Sequence, residues 1–402
     1  MTQPSLLLNL WRMAAVLFAI AAVFSRGTGQ AQGLLSPIQG YVSVEPFELR
    51  KEFVMRFDTI AERVGSGDVT IIDVSNRAAL EKAIGEWLEG KCPTEVDGKL
   101  VTMDLDRVHF VRPDPEKGLV VDDRESVSVS EALVGVVFAT ALDGPPQHVR
   151  VVWEVFPADG SEAVVEAGAR GQRAARKLTP ASPELIWENE MGLAVPELVG
   201  LPEVPETAAW WRAPWLPILC WGLALVGLVI AIFVRKGGAR NSVAILAVIL
   251  GSAGLGLKFS PAPPISVTTE QADEISYALL RNIYHAFDYR RESDIYDVLA
   301  QSAEGDLLSQ IYLEVQRSLQ VENQGGARVR VTDLDLRKCE LAAPSDLENA
   351  FIANCEWVAV GTVTHWGHTH DRVNRYRARL TIGPRDGNWR LLGLALESEE
   401  RI

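Results

Sequence analysis

Two uncharged apolar runs stand back to back near the middle of this 402-residue chain. The first covers residues 215–234 and the second covers residues 242–257, with a basic loop, residues 235–241, between them. A bilayer core needs roughly 20 apolar residues per helix. The first run meets that length and the second is close to its lower limit. The pattern predicts a transmembrane helical hairpin, and so a lipid bilayer as one partner of the chain.

A third, shorter apolar segment lies near the N-terminus. After Arg12 the chain runs without charge from Met13 to Phe24, and Gly29 and Ala31 offer small residues at the spacing of a cleavage site. A core of about a dozen apolar residues is typical of a secretory signal peptide. Residues 1–31 are therefore predicted to be a signal peptide, with an uncleaved N-terminal anchor as the alternative.

The basic loop also predicts the orientation of the hairpin. Loops rich in Lys and Arg remain in the cytoplasm, and this loop contains Arg235, Lys236 and Arg240. Both flanking regions would then lie outside the cytoplasm, where a signal peptide would also deliver the first of them. The chain has no Asn-x-Ser/Thr sequence, which favours a bacterial source. We therefore expect a bacterial inner-membrane protein with two periplasmic domains.

Charge and motif content exclude several classes of function. The formal net charge is −14, whereas a nucleic-acid partner requires a basic face. The apolar runs contain no ionisable residue, which argues against transport. Walker, nucleophile-elbow and zinc-protease motifs are missing from the sequence. We predict no cofactor and regard an enzyme as the less favoured reading.

Hydrophobic patterning divides the rest of the chain into two α+β domains. Residues 33–190 show period-two alternation and read as a mostly antiparallel, α+β or sandwich-like domain. Within it, residues 133–142 and 149–156 are predicted to pair as a hairpin. Residues 191–209 are a Pro-rich linker. Residues 266–402 form the second domain.

The second domain is predicted to contain three helices followed by a curved antiparallel sheet. Thr268 and Gln271 have the spacing of a capping box at the start of the first helix. Further helices are expected over residues 292–301 and 304–319. In the sheet we expect Val363 to pair with Tyr376, which places an arginine row on the outer face. That row, Arg375, Arg377 and Arg379, is a candidate partner-binding surface.

The opening helix of this domain ends in an aromatic and acidic corner, Leu280–Arg290. Together with the order of three helices and a long antiparallel sheet, this corner resembles the NTF2-like superfamily of α+β cones. The resemblance covers about a third of the chain. It implies a cone whose pocket is catalytic in some members and a docking module in others. The resemblance makes His285, Asp288 and Tyr289 candidate pocket residues, with ordinary helix-end polar residues as the alternative.

Two further sets of residues are candidates for chemistry. His365, His368 and His370 fall within six residues and could bind Zn²⁺ or Cu²⁺ through neutral imidazoles, unless they simply form a polar turn or a partner-contact loop. Cys339 and Cys355 could form a disulfide in an oxidising compartment. Strict alternation puts these cysteines on opposite faces of the sheet, so that a β-bulge is needed to join them.

These features together predict a membrane-anchored envelope protein that acts as a non-catalytic scaffold or accessory subunit. Its expected partner is another membrane or envelope protein. Two alternatives stay open at this point. One is small-ligand binding or catalysis in the C-terminal cone, and the other is metal handling at the His365–His370 turn.

Overall fold

The computed structural model describes residues 36–114, 118–205, 213–234, 237–260, 265–313, 328–342, 345, 347, 349–366 and 368–402. The predicted signal peptide lies outside the described residues. The fold is mixed α+β, with several sheets and two long apolar helices in succession. Residues 36–205 are named the N-terminal part below, and residues 265–402 the C-terminal part.

The N-terminal part consists mainly of strands, as its period-two pattern predicts. The strands are β1 (Ile38–Glu45), β2 (Glu48–Arg56), β3 (Ile71–Asp73), β4 (Thr94–Val96), β5 (Lys99–Val101), β6 (Asp104–Asp114), β7 (Gly118–Val121), β8 (Ser126–Ser128), β9 (Leu133–Ala141), β10 (His148–Val152), β11 (Ala163–Ala169), β12 (Gln172–Leu178) and β13 (Glu184–Glu188). The helices are the single turn α1 (Phe57–Ile60) and α2 (Arg77–Leu88).

Two sheets face each other in this part. A seven-stranded sheet has the order β12-β11-β1-β2-β9-β6-β7, and a four-stranded sheet has the order β13-β10-β4-β5. Only the β1–β11 pair is parallel among the described pairs of the larger sheet. The buried Trp153 ring lies against Phe53, 4.9 Å between ring centroids, and over Gly40, where a side chain would collide with it. The sandwich-like prediction agrees with this packing.

The predicted hairpin between residues 133–142 and 149–156 does not form. β9 pairs with β2 and β6 in the larger sheet, while β10 pairs with β4 and β13 in the smaller one. The alternation correctly indicates strands with a buried face. The alternation cannot distinguish two strands that pair as a hairpin from two strands that belong to opposite sheets, because both arrangements bury the same side chains in one core.

Strand β2 is buried on both faces, although its sequence alternates apolar and charged residues. Leu49 and Phe53 face the sandwich core, as expected. On the other face, Glu48, Arg50 and Glu52 retain only 1%, 4% and 1% of their accessible surface. A half-buried strand would expose these charges to water. Their burial means that another part of the chain covers this face of the sheet.

The two apolar runs form helices α3 (Trp215–Phe233) and α4 (Gly237–Lys258), both long and apolar enough to cross a membrane. Together they indicate a membrane protein. The second helix begins five residues before the predicted start at residue 242, so that Arg240 belongs to its first turn. An α-helix pairs its backbone N–H and C=O groups within the same segment. This favours extension of the helix beyond the uncharged residues.

Small residues bring α3 and α4 into contact. Ala224, Ala231, Ala247 and Gly254 are the buried small residues of the pair. A side chain built on Gly254 would approach Trp221 Nε1 to 2.6 Å, whereas one on Gly256 would meet nothing within 4 Å. Close approach through small residues is the usual way in which helices associate in lipid.

The C-terminal part begins with α5 (Thr269–His285), a 3₁₀ turn (Ala286–Asp288) and α6 (Glu292–Ala300), and residues 305–313 are also helical. Thr268 and Gln271 form the predicted capping box. The strands β14 (Arg328–Leu341), β15 (Phe351–His365), β16 (His368–Arg385) and β17 (Asn388–Arg401) then form an antiparallel sheet in chain order. Its inner face packs on α5 and α6 through a second apolar core.

The predicted register of β15 and β16 is wrong. Tyr376 lies opposite Trp357 and not opposite Val363, because the strands extend to a tight turn in which His365 faces His368. The two registers differ by six residues, an even number, so that each side chain keeps its predicted face. The alternation therefore predicts correctly the face of the sheet on which each side chain lies, while the turn determines which residue lies opposite it on the neighbouring strand.

Strict alternation would place Cys339 and Cys355 on opposite faces, and the β-bulge that is required to bring them together is present. A bulge at Arg337 shifts the β14–β15 register between Leu336 and Lys338. Cys339 consequently lies directly opposite Cys355, and both thiols are buried on the inner face. A strict alternation of inward and outward residues has no way to anticipate the inserted residue.

The helix contact predicts different effects for two neighbouring glycines. We expect Gly254→Leu to lower the thermal unfolding midpoint of the detergent-purified protein, because the new side chain must displace Trp221. Gly256→Leu is the matched control and should leave the midpoint nearly unchanged. Equal effects of the two substitutions would contradict this packing of α3 on α4.

Candidate functional site

The turn between β15 and β16 inserts a tryptophan into the N-terminal part. Trp366 is fully buried and packs against Val54, Val111, Leu119 and Val137 of the seven-stranded sheet. Its backbone is in the left-handed region, with φ at 44°. That conformation is uncommon for a bulky residue and persists only where the surrounding structure holds it. The turn therefore presents Trp366 as an anchor between the two parts of the chain.

The pocket for this ring exists because β9 has a glycine beneath it. A Cβ atom built on Gly135 would lie 2.5 to 2.8 Å from three carbon atoms of the Trp366 ring. Any larger residue would push the ring out. Gly135 and Trp366 are 231 positions apart in the sequence, so that only the fold shows that they belong together.

Arg290 provides a second anchor beside the tryptophan. Its guanidinium donates to Glu48 Oε1 at 2.7 Å and to Asp106 Oδ1 at 2.9 Å. Both carboxylates are at least nine-tenths buried, and Arg107 also pairs with Asp106 at 2.5 Å. Charge-assisted bonds to carboxylates that water cannot reach are among the stronger polar contacts in proteins. Arg290 thus compensates buried negative charge on the N-terminal sheet.

Burial alone raises the pKa of Asp106, but the guanidinium groups of Arg107 and Arg290 outweigh this effect and hold the pKa below its ordinary value. The carboxylate is therefore stabilising above its unfolded-state pKa of about 4. That stabilisation disappears as the pH falls through the lower pKa of the folded protein. At neutral pH the Asp106 carboxylate is therefore ionised.

The three predicted pocket residues lie at this contact. His285 Nδ1 is 3.1 Å from Asp288 Oδ2, and Asp288 Oδ1 is 2.9 Å from Arg330 Nε. Arg330 also pairs with Glu45 of the N-terminal part. Tyr289 stacks on Phe47, with ring centroids 4.0 Å apart. The structure therefore places Tyr289, and Asp288 through Arg330, against residues 45–47 at the turn between β1 and β2, while His285 contacts Asp288.

The surroundings of Tyr289 and Asp288 define how these two side chains interact. Burial, with a smaller contribution from the Asp288 charge, raises the pKa of the Tyr289 hydroxyl, so that it remains neutral at physiological pH. Asp288 is engaged by His285 and Arg330. A catalytic use of His285, Asp288 or Tyr289 stays a prediction, and the contacts of Tyr289, and of Asp288 through Arg330, join the two parts of the chain.

A buried polar cluster inside the C-terminal sheet was not anticipated from the sequence. Asn374 donates to Tyr376 Oη and to Glu399 Oε1, each at 2.9 Å, and Trp357 Nε1 donates to Tyr284 Oη at 3.2 Å. Burial raises the pKa of Glu399 and raises that of Tyr284 to about 12. Period-two alternation places Asn374 and Tyr376 on the inner face, but the pairing with Glu399 depends on a bulge in β17.

The predicted arginine row lies on the outer face of the same sheet, as expected. Arg377 is 2.7 Å from Glu356, Arg375 is 3.4 Å from Glu400, and Arg379 is 3.6 Å from Glu397. These half-exposed ion pairs across neighbouring strands largely neutralise the row. A role of Arg375, Arg377 and Arg379 in partner binding stays a prediction.

The predicted metal ligands are not tested by the geometry. The side chains of His365, His368 and His370 lie outside the described part of the structure. Among the described residues, there is no group of three or more His, Cys, Asp or Glu side chains placed to hold a metal ion. At this turn the structure does describe Trp366, which packs in a cluster of apolar side chains from the N-terminal sheet.

No protein-family model matches the chain, and no curated protein matches it. Among solved structures, the intermembrane space region of the chloroplast protein ARC6 is similar to 33% of this chain and aligns over 98% of its own length. The identity is 15% and the TM-score is 0.26. A similarity this low does not establish a shared fold or function. The NTF2-like resemblance stays a prediction.

Two adjacent arginines allow a direct test of the buried ion pairs. We expect Arg290→Ala to lower the free energy of unfolding by about 2–5 kcal/mol, because Glu48 and Asp106 lose a cation in a buried setting. Arg291 pairs at 2.7 Å with Asp143, whose side chain is 91% exposed. Arg291→Ala is therefore the matched control and should cost less than about 1 kcal/mol. Chemical denaturation of both variants measures the difference.

The tryptophan anchor predicts a second, independent effect. Trp366→Ala should cost about 3–5 kcal/mol, as for a large side chain removed from a core. Gly135→Leu should expel the ring and raise amide hydrogen exchange over residues 133–137 and 351–362. Gly144→Leu is the control, since a side chain there would meet nothing within 4 Å. Unchanged exchange in Gly135→Leu would contradict this placement of Trp366.

Proposed function

We propose that this chain is a membrane-anchored envelope protein that serves as a non-catalytic scaffold or accessory subunit. The observation that carries the proposal is the burial of Trp366 in the N-terminal sheet. Two parts that lie on either side of a two-helix hairpin in the sequence contact each other directly. They form one surface close to the bilayer, which is suited to holding another membrane or envelope protein.

The contact supports a particular topology. Trp366 and Arg290 reach the N-terminal sheet from the C-terminal part, and two parts in contact must share one side of a membrane. A two-helix hairpin returns the chain to the side from which it entered. The basic loop then lies on the opposite side, which the distribution of Lys and Arg assigns to the cytoplasm. In this proposal both parts are periplasmic and the hairpin spans a bacterial inner membrane.

The Pro-rich linker takes part in the same assembly. Asn282 on α5 accepts a hydrogen bond from the backbone N–H of Val199 at 2.7 Å and donates one to its carbonyl oxygen at 2.9 Å. Leu198, Leu201 and Val204 pack against the C-terminal core. A linker fastened in this way restricts rotation between the parts. Such restriction favours a rigid scaffold over two independent modules.

One specific observation favours ligand binding or catalysis in the C-terminal cone as the second candidate. Glu399 is half-buried beside Asn374 and Tyr376, and burial raises its pKa, as is common for groups that carry protons in active sites. Under this alternative, Glu399→Gln would abolish binding of a small ligand without loss of thermal stability. Under the scaffold proposal, that substitution leaves partner retention unchanged.

The topology is tested by labelling single cysteines with a membrane-impermeant maleimide on spheroplasts. Ser161→Cys and Ser398→Cys add exposed thiols to the two parts, and Asn241→Cys adds one at the start of α4. We expect the first two to react without membrane disruption and the third to react only after it. The unsubstituted chain, whose Cys92, Cys339 and Cys355 are buried, is the control. Labelling of only one of the two parts would overturn the proposal.

The scaffold role itself is tested by purification from detergent-solubilised membranes. We expect the full chain to retain a membrane protein in a constant ratio, and Trp366→Ala to retain less of it because the joint surface is lost. A monodisperse protein that retains nothing would refute the role, even where the labelling agrees with the topology.

A further inference from the structure

Two buried thiols face each other across the edge of the C-terminal sheet. Cys339 on β14 and Cys355 on β15 are direct cross-strand partners, and each is at least nine-tenths buried. Cys339 Sγ lies 3.4 Å from Ser276 Oγ and 3.8 Å from the carbonyl oxygen of Ala272, both on α5. Two cysteines on directly opposed residues of neighbouring strands have the separation that a disulfide requires.

The β-bulge at Arg337 is what places the two cysteines opposite each other. Without the bulge at Arg337, residue 338 would face inward and Cys339 would point to the outer face. With it, Lys338 and its neighbour Arg337 both lie on the outer face, where Arg337 pairs with Asp335 and Lys338 pairs with Glu340. The bulge thus turns Cys339 inward to meet Cys355.

The two thiols differ in acidity. The hydrogen bond between Cys339 and Cys355, with a smaller effect of the one between Cys339 and Ser276, lowers the pKa of Cys339 although burial opposes this. The same interaction, together with burial, raises the pKa of Cys355. Cys339 is therefore the thiol of the pair that ionises first, and a thiolate is the form that attacks a disulfide.

We propose that Cys339 and Cys355 form a reversible cross-strand disulfide that fastens the edge strand β14 to β15. The oxidant is a disulfide compound, either a low-molecular-weight disulfide or the disulfide of a thiol oxidoreductase. β14 is the first strand of the sheet, and among the described strands it is paired with β15 alone. Local opening of an edge strand exposes a buried thiol without unfolding the core.

The exchange proceeds in two steps. The Cys339 thiolate attacks one sulfur of the oxidant, forming a mixed disulfide and releasing the other half as a thiolate. Cys355 then loses its proton and attacks the Cys339 sulfur, which forms the protein disulfide and releases the second half. Two protein thiols are oxidised, one disulfide is reduced to two thiols, and both protons pass to the released thiolates.

Glutathione buffers test the proposal on the full chain in detergent. The protein is equilibrated with oxidised or reduced glutathione, quenched with acid, unfolded and alkylated with N-ethylmaleimide, and its peptides are identified by mass spectrometry. In oxidised buffer we expect a linked Cys339–Cys355 peptide, with Cys92 and Cys220 alkylated. In reduced buffer all four cysteines should be alkylated, and the thermal midpoint should be lower than in the oxidised protein.

Variants separate the pair from the other thiols. Cys92→Ala should leave the link intact, whereas Cys355→Ala should leave Cys339 carrying glutathione as the trapped mixed disulfide. The double variant Cys339→Ala/Cys355→Ala should lose the dependence of its thermal midpoint on the buffer. Alkylation of both Cys339 and Cys355 in oxidised buffer would overturn the proposal, as would a link from either one to Cys92 or Cys220. Membrane partners are absent from these measurements, so that failure of the scaffold role would leave their outcome unaffected.

Discussion

Buried negative charge on the N-terminal sheet is the constraint on which the arrangement of this protein depends. Glu48 and Asp106 lie where water cannot solvate them, and such carboxylates require compensating cations. Asp106 has Arg107 beside it in the sequence, but the group that reaches both carboxylates is Arg290 of the C-terminal part. The N-terminal sheet therefore has a face whose buried carboxylates require a cationic group from another part of the chain. Its charges favour one partner in one orientation, which apolar contact alone would not specify.

Trp366 and Arg290 have complementary roles in this contact. The tryptophan contributes buried apolar area, which is large and weakly directional. The arginine contributes paired hydrogen bonds whose geometry selects an orientation. Arg330 adds a further charged contact, because it pairs with Asp288 of its own part and with Glu45 of the other part. The proposed scaffold role would require such rigidity, because a partner can be held at a defined place only when the two parts do not move independently.

Sequence patterns were most reliable where they depend on a single physical preference. The apolar runs gave helices α3 and α4, and the capping box at Thr268 formed as expected. The inward and outward faces of β15 and β16 were also correct. The register was not, since Tyr376 pairs with Trp357, and the pairing of Cys339 with Cys355 depends on one inserted residue at Arg337. Alternation has a period of two and carries no information about even shifts or about bulges.

The candidate site shows the same contrast between local features, which follow from the sequence, and long-range contacts, which do not. His285, Asp288 and Tyr289 are close in the sequence at the end of one helix, and their role as pocket residues stays a prediction. The contact of Tyr289 with Phe47, 242 positions away, and that of Arg330 with Glu45, 285 positions away, could not be foreseen from local sequence. Composition and local periodicity by themselves determined that the chain has two apolar helices between α+β regions, because these properties depend on neighbouring residues. Only the tertiary structure decided that the regions join through Trp366 and Arg290, because that contact depends on shape and charge brought together by folding.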